Sequence, residues 1–399
     1  MMTTIVPLRA VCSFRHGGTP SKSNPDFWGG DVPWVSPKDM KTTLLLGARD
    51  SITLKGVEGS ATSLVPTGSI LTVVRSGILA HSVPFALAGR PLTFNQDIKA
   101  IQVTDDRLTN DYVYWFLRSK EPEILARGVK KGATVHSLQS GFLEALAIPI
   151  LPRTEQQRIV DLLSRTENIV SMRREAEQKV REIIPALFLD MFGDPTTNPK
   201  GWVVKSVGDV TAYTRYGPRF PDRKYADAGA RILRTTDMDS EGLVRWKEAP
   251  ILPVSLEEAE RFALRPGTIV VTRTGATIGK VALFRGAEEP CIAGAYLIEL
   301  GTTSEVDPDY VLALFLSVYG QRRLTAGSRA VAQPNLNAPS IRAIPLPIPP
   351  LKLQQSFAAH VVGVRCLLAQ QQTAIAIADL TFQSLLAGVC KGWAGNISE

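Results

Sequence analysis

The chain has 399 residues, of which 44 % are hydrophobic and 21 % charged, with a formal net charge of +7. Such a composition excludes a disordered or low-complexity chain and leaves room for two domains. The positive balance favours a polyanionic partner, while four cysteines at no metal-ligand spacing, with four histidines to join them, point to structural thiols rather than a metal site.

Residues from about 5 to 150 are rich in Gly, Pro, β-branched and aromatic residues. Alternating runs at Ser69 to Val74 and Ile98 to Val103 predict strands, and a helix is expected around Tyr112 to Leu117. After Pro149 and Pro152 the period changes. Thr154 and Gln157 form a capping-box pattern, and Ile159, Leu162, Thr166, Ile169, Arg173, Ala176, Val180, Ile183 and Leu187 follow the 3-4 spacing of a coiled-coil seam. Gly193 is the expected stop, and Pro185 is expected to kink or loosen the last turns. The texture then repeats: strands at Thr268 to Thr272 and Ala295 to Leu300, a helix at Tyr310 to Val318, and a second long helix from about Lys352 to Leu386. Its seam runs Phe357, Val361, Val364, Leu368, Gln371, Ile375, Ala378, Phe382 and Leu385, with Gly388 as the stop.

The repetition has a fixed shift. Asp39-Met40 returns as Asp237-Met238, 237 − 39 = 198 positions later. At the same shift Arg75 and Gly77 return as Arg273 and Gly275, Asp111-Tyr112-Val113 as Asp309-Tyr310-Val311, and Pro152 with Gln156-Gln157 as Pro350 with Gln354-Gln355. Register held from the first forty residues to the last forty marks a tandem duplication. The fold expected is α+β: a globular domain at 1–152, a long helix at 153–193, a second domain at 194–350, a distal helix at 351–390 and a tail at 391–399. A helix of about 36 residues is roughly 54 Å long, whereas the linker Asp194 to Trp202 reaches only about 30 Å extended. The two helices are therefore expected to run antiparallel with a domain at each end, a dumbbell with a pseudo-two-fold axis. Arg173 and Gln371 fill equivalent slots in the two seams, as polar residues do when they fix register.

Reactive groups are sparse. Gly275-Ala276-Thr277-Ile278-Gly279-Lys280-Val281 has the wrong spacing for a phosphate loop and is read as a turn between strands. Asp26, Asp39 and Lys41 imitate a metal-dependent nuclease set, but the second copy puts Asp239 where Lys41 stood. Basic residues in loop-like stretches remain: Lys22, Lys38, Lys41, Arg75, Lys130 and Lys131 in the first half. The second half offers Arg219, Arg223, Lys224, Arg231, Arg234, Arg273, Lys280, Arg322, Arg323 and Arg329. Arginine can read guanine edges and lysine can clamp phosphates; each of these is also readable as an ordinary solvated charge, and Trp28 and Trp34 as core. Cys12, Cys291, Cys366 and Cys390 read as buried structural thiols. No signal-peptide pattern opens the chain and the longest apolar run, Val311 to Tyr319, is too short to span a bilayer, so a cytoplasmic protein with no membrane partner is expected.

In Gly18-Thr19-Pro20-Ser21, Trp28-Gly29-Gly30, Val32 to Met40, Thr272 to Lys280, the proline-rich stretches Ile148 to Gln157 and Ile344 to Gln355, and Phe192-Gly193-Asp194-Pro195 to Gly201-Trp202, the chain resembles a specificity subunit of a type I restriction-modification system. The resemblance covers nearly its whole length. It implies two target-recognition domains, each reading one half of an interrupted site in double-stranded DNA, held apart by antiparallel helices. It also implies two docked methyltransferase subunits that bring S-adenosylmethionine and flip an adenine for N6 methylation, and restriction subunits that use ATP and magnesium. The chain itself would be non-catalytic and bind no cofactor or metal. The second domain lacks the Trp-Gly-Gly segment and the full Thr-Pro-Ser loop, keeping Pro218, so the half-sites are expected to differ. Two alternatives stay open, a self-sufficient nuclease and a coiled-coil adaptor that binds no nucleic acid.

Overall fold

The computed structural model describes residues 4–326 and 335–395, with side chains described up to residue 388. The chain forms two compact units, one built from the chain up to Arg173 together with the segment from Ala374 onward, the other from Arg174–Thr373. Each unit therefore takes part of both long helices.

In the first unit Thr4–Pro7 pairs antiparallel with Ala147–Ile150, tying the start of the domain to its exit. The main sheet runs, in spatial order, Cys12–His16, Ile98–Val103, Ile70–Val73, Phe85–Ala88 and Leu44–Leu45. A smaller sheet centres Trp28–Val35 between Asp50–Ile52 and Thr93–Phe94. Both alternating runs are strands, Ile70–Val73 being fully buried, and the expected helix spans Asn110–Ser119 with the Thr109 hydroxyl capping the Tyr112 amide.

The second unit repeats the plan. Val203–Ser206 pairs with Pro345–Ile348; the main sheet is Thr211–Tyr216, Leu297–Thr302, Thr268–Thr272 and Val281–Phe284; Ala230–Leu233 lies between Ile251–Leu252 and Cys291–Ala293. Two elements differ from expectation. The late strand starts at Leu297 rather than Ala295. The helix after it, Pro308–Leu316, ends before Val318 because extended Ser317 breaks it and caps a new helix, Val318–Leu324.

The same polar clasp joins each long helix to its domain. Gln156, fully buried, donates from Nε2 to the carbonyls of Arg107 (2.7 Å) and Leu151 (2.8 Å) and accepts from the Thr109 amide (3.1 Å). Gln354 donates to the Pro349 carbonyl (2.8 Å) and accepts from the Asp307 amide (2.9 Å). Beside them the Tyr112 hydroxyl donates to the Pro149 carbonyl (3.0 Å) and the Tyr310 hydroxyl to that of Pro347 (2.6 Å). Buried polar groups need such partners, so the repeated residues are those that lock helix, exit strand and domain together.

The first long helix is Arg153–Phe192 and continues through Pro185; Gly193 (φ 80°) stops it. The capping box does not form. The helix opens at Arg153, the expected boundary, with its first bonds on the Pro152 carbonyl, and Gln157 reaches forward to Asp161 instead of back to Thr154. The seam is also corrected. Leu162 and Ile169 are 43 % and 48 % exposed, while their neighbours Leu163 and Val170 are buried; Ile159 is buried, and Arg173, Val180 and Leu187 are half-buried. Gln156 sets this phase, because positions at multiples of seven from it, 163 and 170, inherit its inward face.

The second helix, Leu351–Gly395, runs through Gly388 instead of stopping there. Phe357, Val361, Val364, Leu368 and Phe382 are buried on its seam, and Gln371, Ala378 and Leu385 are half-buried. In the first unit Phe382 and Leu386 join the core with Ile159, Leu163 and Val170. In the second, Phe188 and Phe192 pack edge-on against Phe357 (5.9 and 5.3 Å), and Phe192 against Tyr310 (4.7 Å). An early stretch of one helix thus meets a late stretch of the other in each unit, which is antiparallel pairing. The polar cross-helix contact found at mid-length is Gln372 to Glu177, 3.3 Å, rather than Arg173 with Gln371.

Contrary to the expectation from apolar runs, Leu351–Gly388 is long and apolar enough, by length and composition, to cross a bilayer, its apolar 18-residue stretch having a mean hydropathy of 1.3 and being 17 % buried. Cys12 and Cys291 are buried thiols, pushed up to about 12 by that burial. Cys366 is exposed, contrary to the expectation, and the Cys390 side chain lies outside the described residues.

Candidate nucleic-acid interface

A three-stranded ribbon in the first unit brings together two of the basic residues picked out from the sequence. Val129–Lys130 pairs antiparallel with His136–Leu138, which pairs in turn with Arg75–Ser76. The register sets Lys130 opposite Ser137 and Ser137 opposite Arg75. Residues directly opposite in a ladder share a face, so the three side chains line one side of the ribbon. Leu138, on the other side, is buried in the core, which turns the Arg75–Ser137–Lys130 side to solvent. Two strand spacings separate the cations, about 10 Å.

The loop Lys131–Val135 is exposed throughout. Its close turn requires Gly132: a Cβ there would lie 2.2 Å from the Val135 carbonyl oxygen, and the Gly132 amide donates to His136 Nδ1 (3.1 Å). The result is a short, two-stranded, positively charged arm with Lys131 at its tip.

Lys22 is exposed on one loop, and Lys38 and Lys41 are exposed together on the connection between Trp28–Val35 and Leu44–Leu45. Their scaffolding is well defined. Trp34 and Trp28 donate to the carbonyls of Gly18 (2.9 Å) and Ser21 (3.1 Å) and pack edge-on against each other at 5.2 Å, so both fasten the Gly18–Ser21 loop. Asp39 accepts from the Ser36 amide (2.9 Å) and hydroxyl (2.7 Å) and from the Arg49 amide (3.1 Å). Its repeat, Asp237, accepts from the Arg234 amide (2.8 Å). These carboxylates pin turns, and a nuclease role for Asp39 loses its geometric basis.

Several second-half cations are spent internally, contrary to the expectation that they face a ligand. Arg223 grips Glu258 with two bonds of 2.9 and 2.8 Å and holds that carboxyl down at about 2. Arg234 grips Asp237 (2.9 and 2.7 Å), Arg231 pairs with Glu289 (2.6 Å), and Lys280 donates to the Thr235 carbonyl (3.2 Å). Arg219 and Lys224 are exposed; Arg329 lies outside the described residues.

Arg273, the repeat of Arg75, lies over the Tyr216 ring at 4.8 Å, and its Nε is buried without a partner among the described residues. The positions that match 129–136 at the 198-residue shift, 327–334, lie outside the described residues; next to them Thr274 bridges Asn335 antiparallel. Sequence reading picked Arg75, Lys130 and Arg273 singly. It missed Ser137, His136 and Tyr216, whose roles depend on pairing across long separations.

The Gly275–Lys280 segment is a turn between the paired strands Thr268–Thr272 and Val281–Phe284; no helix follows to present its amides to a phosphate. Among the described residues no group of three or more His, Cys, Asp or Glu side chains could hold a metal ion.

A family model described as the type I restriction modification DNA specificity domain matches residues 3–182 and 199–360. The chain is 41 % identical over 165 residues to the EcoR124I/EcoR124II specificity subunit of Escherichia coli, covering 41 % of each protein. It is 29 % identical over 243 residues to the MjaIX specificity subunit of Methanocaldococcus jannaschii, covering 56 % of this chain and 55 % of that one. These matches span about half the length of the curated relatives. In fold, the S subunit of a type I system from M. genitalium superposes with a TM-score of 0.57 at 14 % identity, over 96 % of this chain and 95 % of that one.

Proposed function

The chain belongs to the type I restriction modification DNA specificity family, and from that premise we propose that it selects the DNA sequence on which a type I complex acts. Each unit reads one half of an interrupted duplex site. The observation that carries this reading is the exposed Arg75–Ser137–Lys130 face, which runs from the hairpin 129–138 onto the strand beside it. The two-stranded hairpin 129–138 is narrow enough for the major groove of B-DNA, and Arg75 on the adjoining strand carries the group that pairs bidentately with guanine O6 and N7. Lysines at the arm's tip and on the neighbouring loops clamp phosphates, which sets register without reading sequence.

The two long helices offer docking faces for two methyltransferase subunits, and restriction subunits complete the assembly in the cytoplasm. The chemistry belongs to those partners: S-adenosylmethionine serves the adenine N6 methylation, and ATP with magnesium serves the restriction subunits. This chain contributes binding and orientation. The turn geometry of Asp39 and of Gly275–Lys280 supports that division, since neither presents groups for metal or nucleotide chemistry.

Mapping methylated adenines in DNA from cells carrying the methyltransferase, with and without this chain, tests the proposal. The expected result is a bipartite motif that appears only with the chain. A continuous motif, or methylation independent of the chain, rejects it. The adaptor reading predicts no salt-dependent DNA binding even in the assembled complex.

A further inference from the structure

Duplication allows one place in the fold to be seen in two forms. In the first unit Trp115 is buried and meets Phe382 edge-on at 5.9 Å. Arg118 lies over both rings, 4.9 and 5.5 Å from their centres, and pairs with Glu167. Stepping by 198 positions, Tyr114 becomes Leu312, Trp115 becomes Ala313, Arg118 becomes Leu316, Glu167 becomes Arg365, and Phe382 becomes Ile184. The second unit thus loses three rings and a carboxylate, and gains a cation where the acid stood.

The space is left as a pocket of about 430 Å³, walled by Ile184, Phe188, Leu312, Leu316 and Val361 with Arg365 at its side. It exceeds the roughly 150 Å³ of a dry apolar cavity that accepts benzene. Leu189 and Val318 at its margin are 51 % and 69 % exposed, so it opens to solvent. The neighbouring acids are engaged elsewhere: Asp309 pairs with Arg285 and Glu241 with Arg181, Asp194 accepts from the Thr196 amide and Asp239 from the amides of Glu241 and Leu243. Arg365 Nη1 is buried and makes no hydrogen bond among the described residues. Burial, with the Arg285 charge nearby, pulls this guanidinium down to about 10 against the opposing pull of Asp309 and Asp239.

We propose that this pocket binds a small aromatic carboxylate, its ring filling the space that Trp115 and Phe382 occupy in the first unit and its carboxylate meeting Arg365 Nη1. Burying an unpaired cation is costly and a charge-assisted bond relieves it, so the acid and the ring are recognised together.

The probe is indole-3-propionate, with neutral 3-methylindole beside it, titrated calorimetrically into the full chain and followed by thermal unfolding. Saturable binding of the acid and a rise in Tm of roughly 3 °C are expected, as for any ligand held by the folded state alone. Arg365→Gln should weaken the acid at least tenfold and leave 3-methylindole unchanged, while Ala313→Trp should abolish both. Should that variant fail to fold, Ile184→Phe, which brings in the ring the first unit uses, replaces it. Absence of saturable binding at millimolar probe, an Arg365→Gln chain that holds the acid as tightly as the parent, or undiminished binding after the pocket is filled would each overturn the proposal.

Discussion

Replacing Gln156 by leucine would leave the Thr109 amide and the Arg107 and Leu151 carbonyls without their partner. Each buried polar group so stranded costs about 1–3 kcal/mol, and Gln156→Leu should destabilise the first unit by about 3 kcal/mol in urea unfolding. Gln354→Leu should act likewise on the second. The ribbon makes a different prediction, because Arg75 and the lysine pair Lys130 and Lys131 are expected to do different work. Arg75→Ala should relax base choice within one half of the methylated motif, costing about 1–3 kcal/mol of discrimination there. Lys130→Ala with Lys131→Ala should weaken binding evenly across sequences and reduce the salt slope by about 2. Motif mapping and binding titrations across salt separate the two. At this scale the sequence marked the identities but not their jobs. Gln156 and Tyr112 stood out only as repeated letters, and Arg223 looked as available as Lys224, because the carboxylate that consumes it, Glu258, lies 35 residues away.

Among elements, the first long helix shows how a correct periodicity can carry the wrong phase. Leu162-Leu163, Ile169-Val170, Ile183-Ile184 and Leu187-Phe188 are apolar doublets, and either member of each satisfies a 3-4 spacing. The choice between them is made outside the helix, by the clasp at Gln156, which turns Leu163 inward and leaves Leu162 43 % exposed. Leu163→Ala should therefore cost about 2–5 kcal/mol, and Leu162→Ala no more than about 0.5 kcal/mol, measured by denaturant unfolding of the full chain. In the second helix the buried positions Phe357, Val361, Val364 and Leu368 were readable directly. The lost stop at Gly388 has a similar cause: a glycine weakens a helix by about 1 kcal/mol but does not end it unless the next residues supply a C-cap.

For the molecule as a whole, each helix contributes to both units, so a change in helix length at the junction bears on both readers. Four residues inserted after Arg173 and four after Thr373 add about 6 Å to each helix, comparable with roughly two base pairs. The unread gap of the methylated motif is expected to lengthen while both half-site sequences persist; an unchanged gap with methylation retained would remove the helices as its determinant. The sequence by itself determined the duplication, the α+β character, the two long helices and the family, because these rest on local periodicity and on residues repeated at one shift. Tertiary structure alone decided which cations are free, which face of the first helix is buried, and that Arg365 lines an open pocket where Glu167 closes a filled one. Each of those depends on partners far apart in the chain, whose meeting is fixed by strand register and packing.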